Sequence, residues 1–174
     1  LQALAADPAP DEPAKSASAK SANGRLERVL VFSGTGWYRH PQIPASNGWL
    51  VRLGADHGVQ VDVTETPADI TAEQLSQYQV LLLNNANELA KVLDEKQREA
   101  IQKWYQKGGG IVGLHAALVH QQGWPWFNGL AGCDFNSDST FVRARVVVDP
   151  QAKGSPLVEG QGNEFWYEAD LHNH

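Results

Sequence analysis

The chain has 174 residues, enough for one domain with a sizeable core. It carries 20 Asp plus Glu against 14 Lys plus Arg, a net charge of -6, and no dense basic stripe, which argues against a nucleic-acid partner. No segment approaches the roughly 18 consecutive apolar residues of a membrane span, and the single cysteine excludes an internal disulfide or a multi-cysteine metal site.

The first segment, residues 1–25, consists mainly of Ala, Ser, Pro and Lys. So little apolar surface cannot offset the entropy of ordering, and we expect a disordered tail. Its Ala3-x-Ala5 sequence has the small-x-small pattern of a signal-peptidase site, so the tail is interpreted as a signal-peptide remnant. This pattern favours an exported, periplasmic protein; a cytoplasmic location is the alternative.

Four short segments that follow have the patterns of β-strands. Val29–Phe32, Val80–Leu83 and Ile111–Leu114 are continuous apolar runs, typical of strands covered on both faces. Val59–Thr64 alternates between apolar and polar residues, which predicts a more exposed strand. Phe141–Val148 alternates in the same way and predicts an edge or antiparallel strand, and a further strand is expected at 165–167.

Helical segments separate these strands. Thr71-x-x-Gln74 predicts a capping box that opens a short helix through Tyr78. Asp94-x-x-Gln97 predicts a second, longer helix that stops at the glycines beginning with Gly108. Strands that alternate with helices indicate an α/β fold with a mostly parallel sheet and helices on both faces.

The loops that leave the predicted strands contain the candidate functional residues. In parallel sheets the carboxyl ends of the strands meet at one edge, and ligands bind there. The loops 34–41, 84–87 and 115–117 follow three of the strands, so we expect Arg39, His40, Asn85 and His115 to lie within reach of one another.

His115 is the strongest catalytic candidate. It stands between small residues in Gly113-Leu-His-Ala-Ala117, as the central residue of a sharp strand-to-helix turn does. Imidazole transfers protons near neutral pH, so we predict a general acid/base role for His115 with His40 as its partner. The structural alternative is a histidine that only caps the following helix.

Six further residues are predicted to bind substrate. The guanidinium of Arg39 suits an anionic or polyhydroxylated ligand, amides donate to and accept from hydroxyls, and aromatic faces stack on sugar rings. Ordinary surface-loop or core roles are the alternatives. The six residues are Tyr38, Arg39, Asn84, Asn85, Trp124 and Trp126.

A metal site is the weaker hypothesis. His40 and His115 with Asp134 or Glu168 would make a ligand set, but no compact ligand motif supports it. We therefore predict no metal and no cofactor.

The loops that contain the candidate residues, and the segments around them, resemble the ThuA-like family, named for trehalose utilisation, within the class I glutamine amidotransferase-like group. The match runs from about Arg28 to Phe135. It includes Tyr38-Arg-His40, Leu83-Asn-Asn85, the segment Gly108–Ala117, and Trp124-Pro-Trp-Phe-Asn-Gly-Leu-Ala-Gly132. The resemblance implies a flavodoxin-like fold over residues 26–174.

The same resemblance implies a role in carbohydrate metabolism, with a trehalose-like disaccharide or a keto-sugar as substrate. The amidotransferases carry a cysteine where this chain has His115, so glutamine hydrolysis is not expected. An enzyme of this kind would be a hydrolase or an isomerase; the alternative is a noncatalytic sugar-binding or interaction module. The oligomeric state stays open.

Two departures from the family pattern bear on the extent of the domain. Asn136–Ser139 replaces a His-Pro pair, and Trp166–Asp170 matches an acidic family motif only in part. The final Gly-Arg and Gly-His segment of the family has no counterpart. We therefore expect the domain to be C-terminally incomplete relative to the family, or to have lost part of the site.

Overall fold

The computed structural model describes residues 24–133 and 135–173. Residues 1–23 of the predicted tail therefore lie outside the described residues. The strands are β1 (Arg28–Phe32), β2 (Gln60–Thr64), β3 (Val80–Asn84), β4 (Gly110–Leu114), β5 (Ser137–Asp138), β6 (Val142–Val147), β7 (Glu164–Ala169) and β8 (His172–Asn173). The helices are α1 (Ile43–Asp56), α2 (Ala72–Leu75), α3 (Leu89–Val92), α4 (Glu95–Gln106) and α5 (Pro125–Ala131).

The first four strands form one parallel sheet in the order β2-β1-β3-β4. The chain moves from β1 to one side to form β2 and then returns to the other side of β1 to form β3. The order reverses between β1 and β3, and ligands bind at the carboxyl ends of strands beside such a switch point. The predicted α/β architecture with a mostly parallel sheet is confirmed.

Alternation along β1 directs its side chains to two different cores. Leu30 and Phe32 join the larger core under α2, α4 and α5, which also contains Tyr78 and Trp104. Val29 and Val31 face the other side of the sheet, where Leu50 of α1 covers them. Both faces of β1 are therefore buried, as the continuous apolar run predicted.

The two predicted helix starts are confirmed, and one helix end differs from the prediction. The Asp94 side chain accepts from Gln97 N at 2.8 Å, and the Gln97 side chain accepts from Asp94 N at 2.8 Å. Only half of the capping box predicted at Thr71 forms: Thr71 Oγ1 accepts from Gln74 N at 3.1 Å, whereas Thr71 N donates to the Asp69 carbonyl at 3.0 Å. The helix after Thr71 ends at Leu75 and not at Tyr78, because the N–H groups of Gln77 and Tyr78 donate to carbonyls three residues back instead of four.

After α5 the strands pair antiparallel instead of parallel. The strand β6 pairs antiparallel with β7, as predicted, and the short strands β5 and β8 form a second antiparallel pair. Within residues 24–133 and 135–173, no helix has the length and apolar character needed to cross a bilayer.

Candidate active site

The carboxyl edge of the sheet brings two imidazoles together. His40, in the loop after β1, and His115, directly after β4, have ring centroids 4.7 Å apart and planes tilted by 53°. The Tyr38 ring contacts His40 edge-on at 4.8 Å. The convergence of these two loops followed from topology alone, and it places the two predicted acid/base residues in contact.

The backbone at His115 is strained. Its φ is 53°, in the left-handed region that costs an ordinary residue about 1–2 kcal/mol. The neighbouring Ala116 and Ala117 are buried, and a side chain at Gly113 would come within 3.2 Å of the Ala117 Cβ. Small residues thus allow the sharp turn, which leaves the imidazole at the surface of the edge.

Strain of this kind is concentrated near the site. Among the described residues, the non-glycine positions with positive φ are Asn85, Glu88, His115 and His120, and all of them follow β3 or β4. Such conformations are unfavourable for the residue itself and persist only where the surrounding structure holds them. They cluster at active and ligand sites.

A small cavity opens beside the histidines. Its volume is about 200 Å³, and it is lined by Trp37, Tyr38, His40, His115, Ala116, Val119, Phe135, Asp138 and Asp170. Larger depressions of about 380 Å³ and 490 Å³ lie between α2 and α4 and in the loop after β6. No histidine lines either of those two depressions, and a third, of about 320 Å³ beside α1, is lined by apolar residues apart from His57. The smaller cavity combines two histidines with two carboxylates and is therefore the candidate active site.

A buried polar network lies beneath this edge at the switch point. Asn84 Nδ2 donates to Ser46 Oγ at 2.7 Å and to Asn47 Oδ1 at 2.8 Å, and Ser33 Oγ donates to the same Asn47 oxygen at 3.0 Å. Asn85 Nδ2 donates to Asn84 Oδ1 at 2.9 Å. These bonds join α1 to the ends of β1 and β3, and so fix the loops that carry the histidines.

Asn85 also holds the histidine turn through its backbone. Its N–H donates to the carbonyl of Leu114 at 3.1 Å, immediately before His115. Its Oδ1 is buried without a hydrogen bond among the described residues, although its Nδ2 is paired. A buried acceptor in that state is available to a hydroxyl or N–H donor.

Arg39 faces away from this network. Its guanidinium donates twice to the Glu65 carboxylate, from Nε at 2.8 Å and from Nη2 at 2.7 Å. The hydrogen bond from Arg39 holds the pKa of Glu65 below its ordinary value, against the opposing effect of partial burial. The pair links the loop after β1 to the end of β2, and Arg39 does not line the cavity.

The two predicted sugar-stacking tryptophans lie elsewhere. Trp124 is 4% exposed and stacks on Phe127 at 5.4 Å. Trp126 packs edge-on against Tyr105 of α4 at 5.6 Å. Both contribute to the larger core, and neither lines the cavity.

Several residues of the site had no role in the sequence-based prediction. Trp37 stands two residues before the predicted Arg39, and its place in the same loop was a usable signal. His120 carried no recognisable pattern. Asp138 and Asp170 lie in the two segments that the sequence analysis named only as departures from the family pattern, so neither residue was predicted to belong to the site.

The described part of the chain contains no cluster of side chains that supports the metal hypothesis. No group of three or more His, Cys, Asp or Glu side chains there is arranged to hold a metal ion. Asp134 lies outside the described residues, and Glu168 is within 3.9 Å of Arg143 on the neighbouring strand.

Two solved structures are similar in fold to this chain. One is a protein described as ThuA-like from Bacteroides uniformis, with a TM-score of 0.69, 21% identity and coverage of 95% of this chain. The other, also described as ThuA-like, is from Parabacteroides merdae, with a TM-score of 0.64, 18% identity and coverage of 86%. The matches cover 64% and 63% of those two proteins, respectively.

Sequence comparison identifies the family. No curated protein sequence matches the chain. The family model described as ThuA, trehalose utilisation, matches residues 28–174, which is most of the chain. The chain belongs to the ThuA family of trehalose utilisation.

Proposed function

We propose that this chain acts on a trehalose-like disaccharide or its keto-sugar derivative, with His115 as the general acid/base. The observation that carries the proposal is the contact between the His115 and His40 rings at the carboxyl edge of the sheet, beside a cavity lined by carboxylates and aromatic rings. Family membership supports the substrate class.

A keto-sugar gives these histidines a defined task. His115 takes a proton from the carbon next to the carbonyl, and the electron pair of that C–H bond moves toward the carbonyl oxygen to form an enolate. His40, in contact with His115, is placed to hold or return a proton. If the former carbonyl carbon takes up the proton, and the hydroxyl proton of the deprotonated carbon passes to the enolate oxygen, the product is the isomeric keto-sugar. Alternatively, the carbonyl re-forms as the C–O bond to the glycosidic oxygen on the next carbon breaks, a histidine protonates the leaving oxygen, and addition of water to the resulting double bond completes hydrolysis and returns the proton to carbon. Neither path requires an oxidant or a reductant.

Binding of the substrate hydroxyls is assigned to groups near the histidines. Asp138 and Asp170 line the cavity, and carboxylates accept hydrogen bonds from hydroxyls. Asn85 has a buried acceptor oxygen and lies directly beside the turn that carries His115. Because Arg39 is engaged by Glu65, a contact from Arg39 to substrate would require that ion pair to open.

The test compares product formation from trehalose and 3-keto-trehalose by the wild-type protein, His115→Ala and His40→Ala. General acid/base catalysis contributes roughly 100- to 10,000-fold, so His115→Ala should lower kcat by at least about 100-fold. The matched control is His57→Ala, which changes an exposed histidine at the opposite end of α1 and should retain full activity. Thermal unfolding of each variant checks that the fold is intact.

The outcomes separate the enzyme from the noncatalytic module. Turnover by the wild type that His115→Ala abolishes supports the proposal. Turnover that survives His115→Ala contradicts the role of His115. Sugar binding without turnover in any protein, measured by calorimetry, would instead support a sugar-binding module on the same fold.

A further inference from the structure

The exposed indole of Trp37 lies at the mouth of the histidine cavity. Its side chain is 58% exposed, yet it lines the same cavity as His40 and His115. A large apolar ring left open to water beside polar groups is the arrangement that proteins use to stack on the apolar face of a sugar. Of the tryptophans singled out from sequence, Trp124 is buried and Trp126 packs against the core, and neither lines the cavity.

The backbone on either side of Trp37 is clamped. The buried Asn87 side chain accepts from Trp37 N at 3.0 Å and donates to the Tyr38 carbonyl at 2.8 Å. The Asn87 carbonyl also accepts from Gly36 N at 3.0 Å. A side chain at Gly36 would meet the Glu88 carbonyl at 2.8 Å, so the loop lies directly against the segment after β3.

The indole ring is braced as well. His120 contacts it edge-on, with ring centroids 4.8 Å apart and planes at 81°. His120 in turn contacts Phe135 edge-on at 5.5 Å. An exposed ring that is braced by one perpendicular neighbour, on a clamped backbone, loses little freedom when a ligand stacks on it.

The cavity size indicates which part of a disaccharide the indole would meet. At about 200 Å³ the cavity is smaller than the roughly 300–1,000 Å³ of pockets that enclose drug-sized ligands. It suits one sugar ring beside the histidines, so the second ring of a disaccharide must lie at the mouth. Trp37 has a large, exposed apolar side chain at that position, and its neighbour Tyr38 is exposed there as well.

We propose that Trp37 is the stacking surface for the second sugar ring, and that it makes the site selective for disaccharides over single sugars. This inference rests on the proposed function. It assigns the reacting ring to the histidine cavity and the outer ring to the Trp37 face. Asn87 and His120 act as positioning residues for that face.

The test measures dissociation constants by calorimetry for 3-keto-trehalose and for 3-keto-glucose, using wild type, Trp37→Ala and Trp37→Phe. Trp37→Ala should weaken disaccharide binding by about tenfold and change monosaccharide binding by less than about twofold. Trp37→Phe keeps an aromatic face and should restore most of the loss. Trp49→Ala is the matched control, because Trp49 is similarly exposed on α1 but does not line the cavity.

Three results would overturn the inference in distinguishable ways. Equal weakening of both sugars by Trp37→Ala would show that the indole contacts the ring in the cavity. Unchanged disaccharide binding in Trp37→Ala would show that it contacts neither ring, while the proposed function would stand. Binding of neither sugar by the wild type would contradict the proposed function, and this inference with it.

Discussion

Asp62 of β2 shows how a single residue stabilises the edge of the sheet. Its carboxylate accepts from Arg28 Nη2 at 3.0 Å, from Gln60 Nε2 at 3.0 Å and from the Tyr78 hydroxyl at 2.9 Å. Partial burial opposes the charged form, but the three hydrogen bonds and the Arg28 charge together hold the pKa of Asp62 below its ordinary value. Burial, followed by the hydrogen bond and charge of Asp62, raises the pKa of Tyr78 to about 12.

This network makes stability depend on pH in a predictable direction. Because the native state holds the Asp62 carboxylate charged more firmly than the unfolded chain does, its contribution is fully present above the ordinary pKa of 3.8. That contribution is lost as the pH falls through the lower native value. We expect Asp62→Asn to lower the free energy of unfolding by about 1 kcal/mol at pH 7, since the carboxylate is partly exposed.

Urea unfolding at a series of pH values measures this effect. Asp62→Asn should flatten the fall in stability below about pH 4, with Glu65 retaining part of the slope. Asp56→Asn, at an exposed carboxylate on α1, is the control and should leave the profile unchanged. Identical pH profiles for wild type and Asp62→Asn would contradict this account.

At the scale of single residues, the two histidines and Tyr38 could be placed at this edge from sequence, whereas most of the other residues that line the cavity could not. His115 stands directly after an apolar strand segment and His40 lies in the loop that follows another, so their place at the carboxyl edge followed from strand order. The roles of Trp124 and Trp37 depend on whether each ring faces the core or solvent. Trp124 is buried against Phe127, whereas the loop that carries Trp37 is held by Asn87 and leaves the indole exposed. No local pattern encodes that packing.

At the scale of elements, α1 was not anticipated although it is the longest helix in the described residues. Its sequence contains Gly48 and Gly54 and no side-chain N-cap, and all three features weaken a local helix signal. Tertiary contacts form this helix instead. Asn47 bonds to the network at the switch point, and Gly54 lies directly against β2.

The two glycines of α1 should respond to substitution in opposite directions. A Cβ at Gly54 would overlap the Val61 side chain and come within 2.7 Å of the Val59 carbonyl oxygen, so Gly54→Ala must push α1 off the sheet. We expect a loss of about 2 kcal/mol in the free energy of unfolding. A Cβ at Gly48 would meet only the Arg52 side chain, at 3.6 Å, so Gly48→Ala should stabilise the helix by about 0.5–1 kcal/mol.

Thermal unfolding of the two variants provides the comparison. A change of 1 kcal/mol corresponds to roughly 2–4 °C in Tm for a chain of this size, so the two midpoints should lie on opposite sides of the wild-type value. Equal destabilisation by both substitutions would mean that α1 tolerates no side chain at either position, and that contact with β2 is not the reason for glycine at position 54.

At the scale of the whole molecule, the order of elements predicted the architecture and predicted that the loops of His40 and His115 would share one edge of the sheet. Alternating strands and helices required parallel strands, and parallel strands required their loops to share one edge. Asp138 and Asp170 reach that edge through antiparallel segments far along the chain. Their place depends on long-range packing, which explains why the sequence marked their segments only as departures from the family pattern and did not assign either residue to the site.

The central claim is that His115, in contact with His40 at this edge, moves a proton on a carbonyl sugar. The most direct test is the exchange of solvent deuterium into the carbons next to the carbonyl of 3-keto-trehalose, followed by proton NMR and corrected for exchange in buffer. We predict exchange with the wild type and His57→Ala, slowed by about 100-fold or more in His115→Ala. Exchange by His115→Ala at the wild-type rate, with the fold intact, would contradict the account.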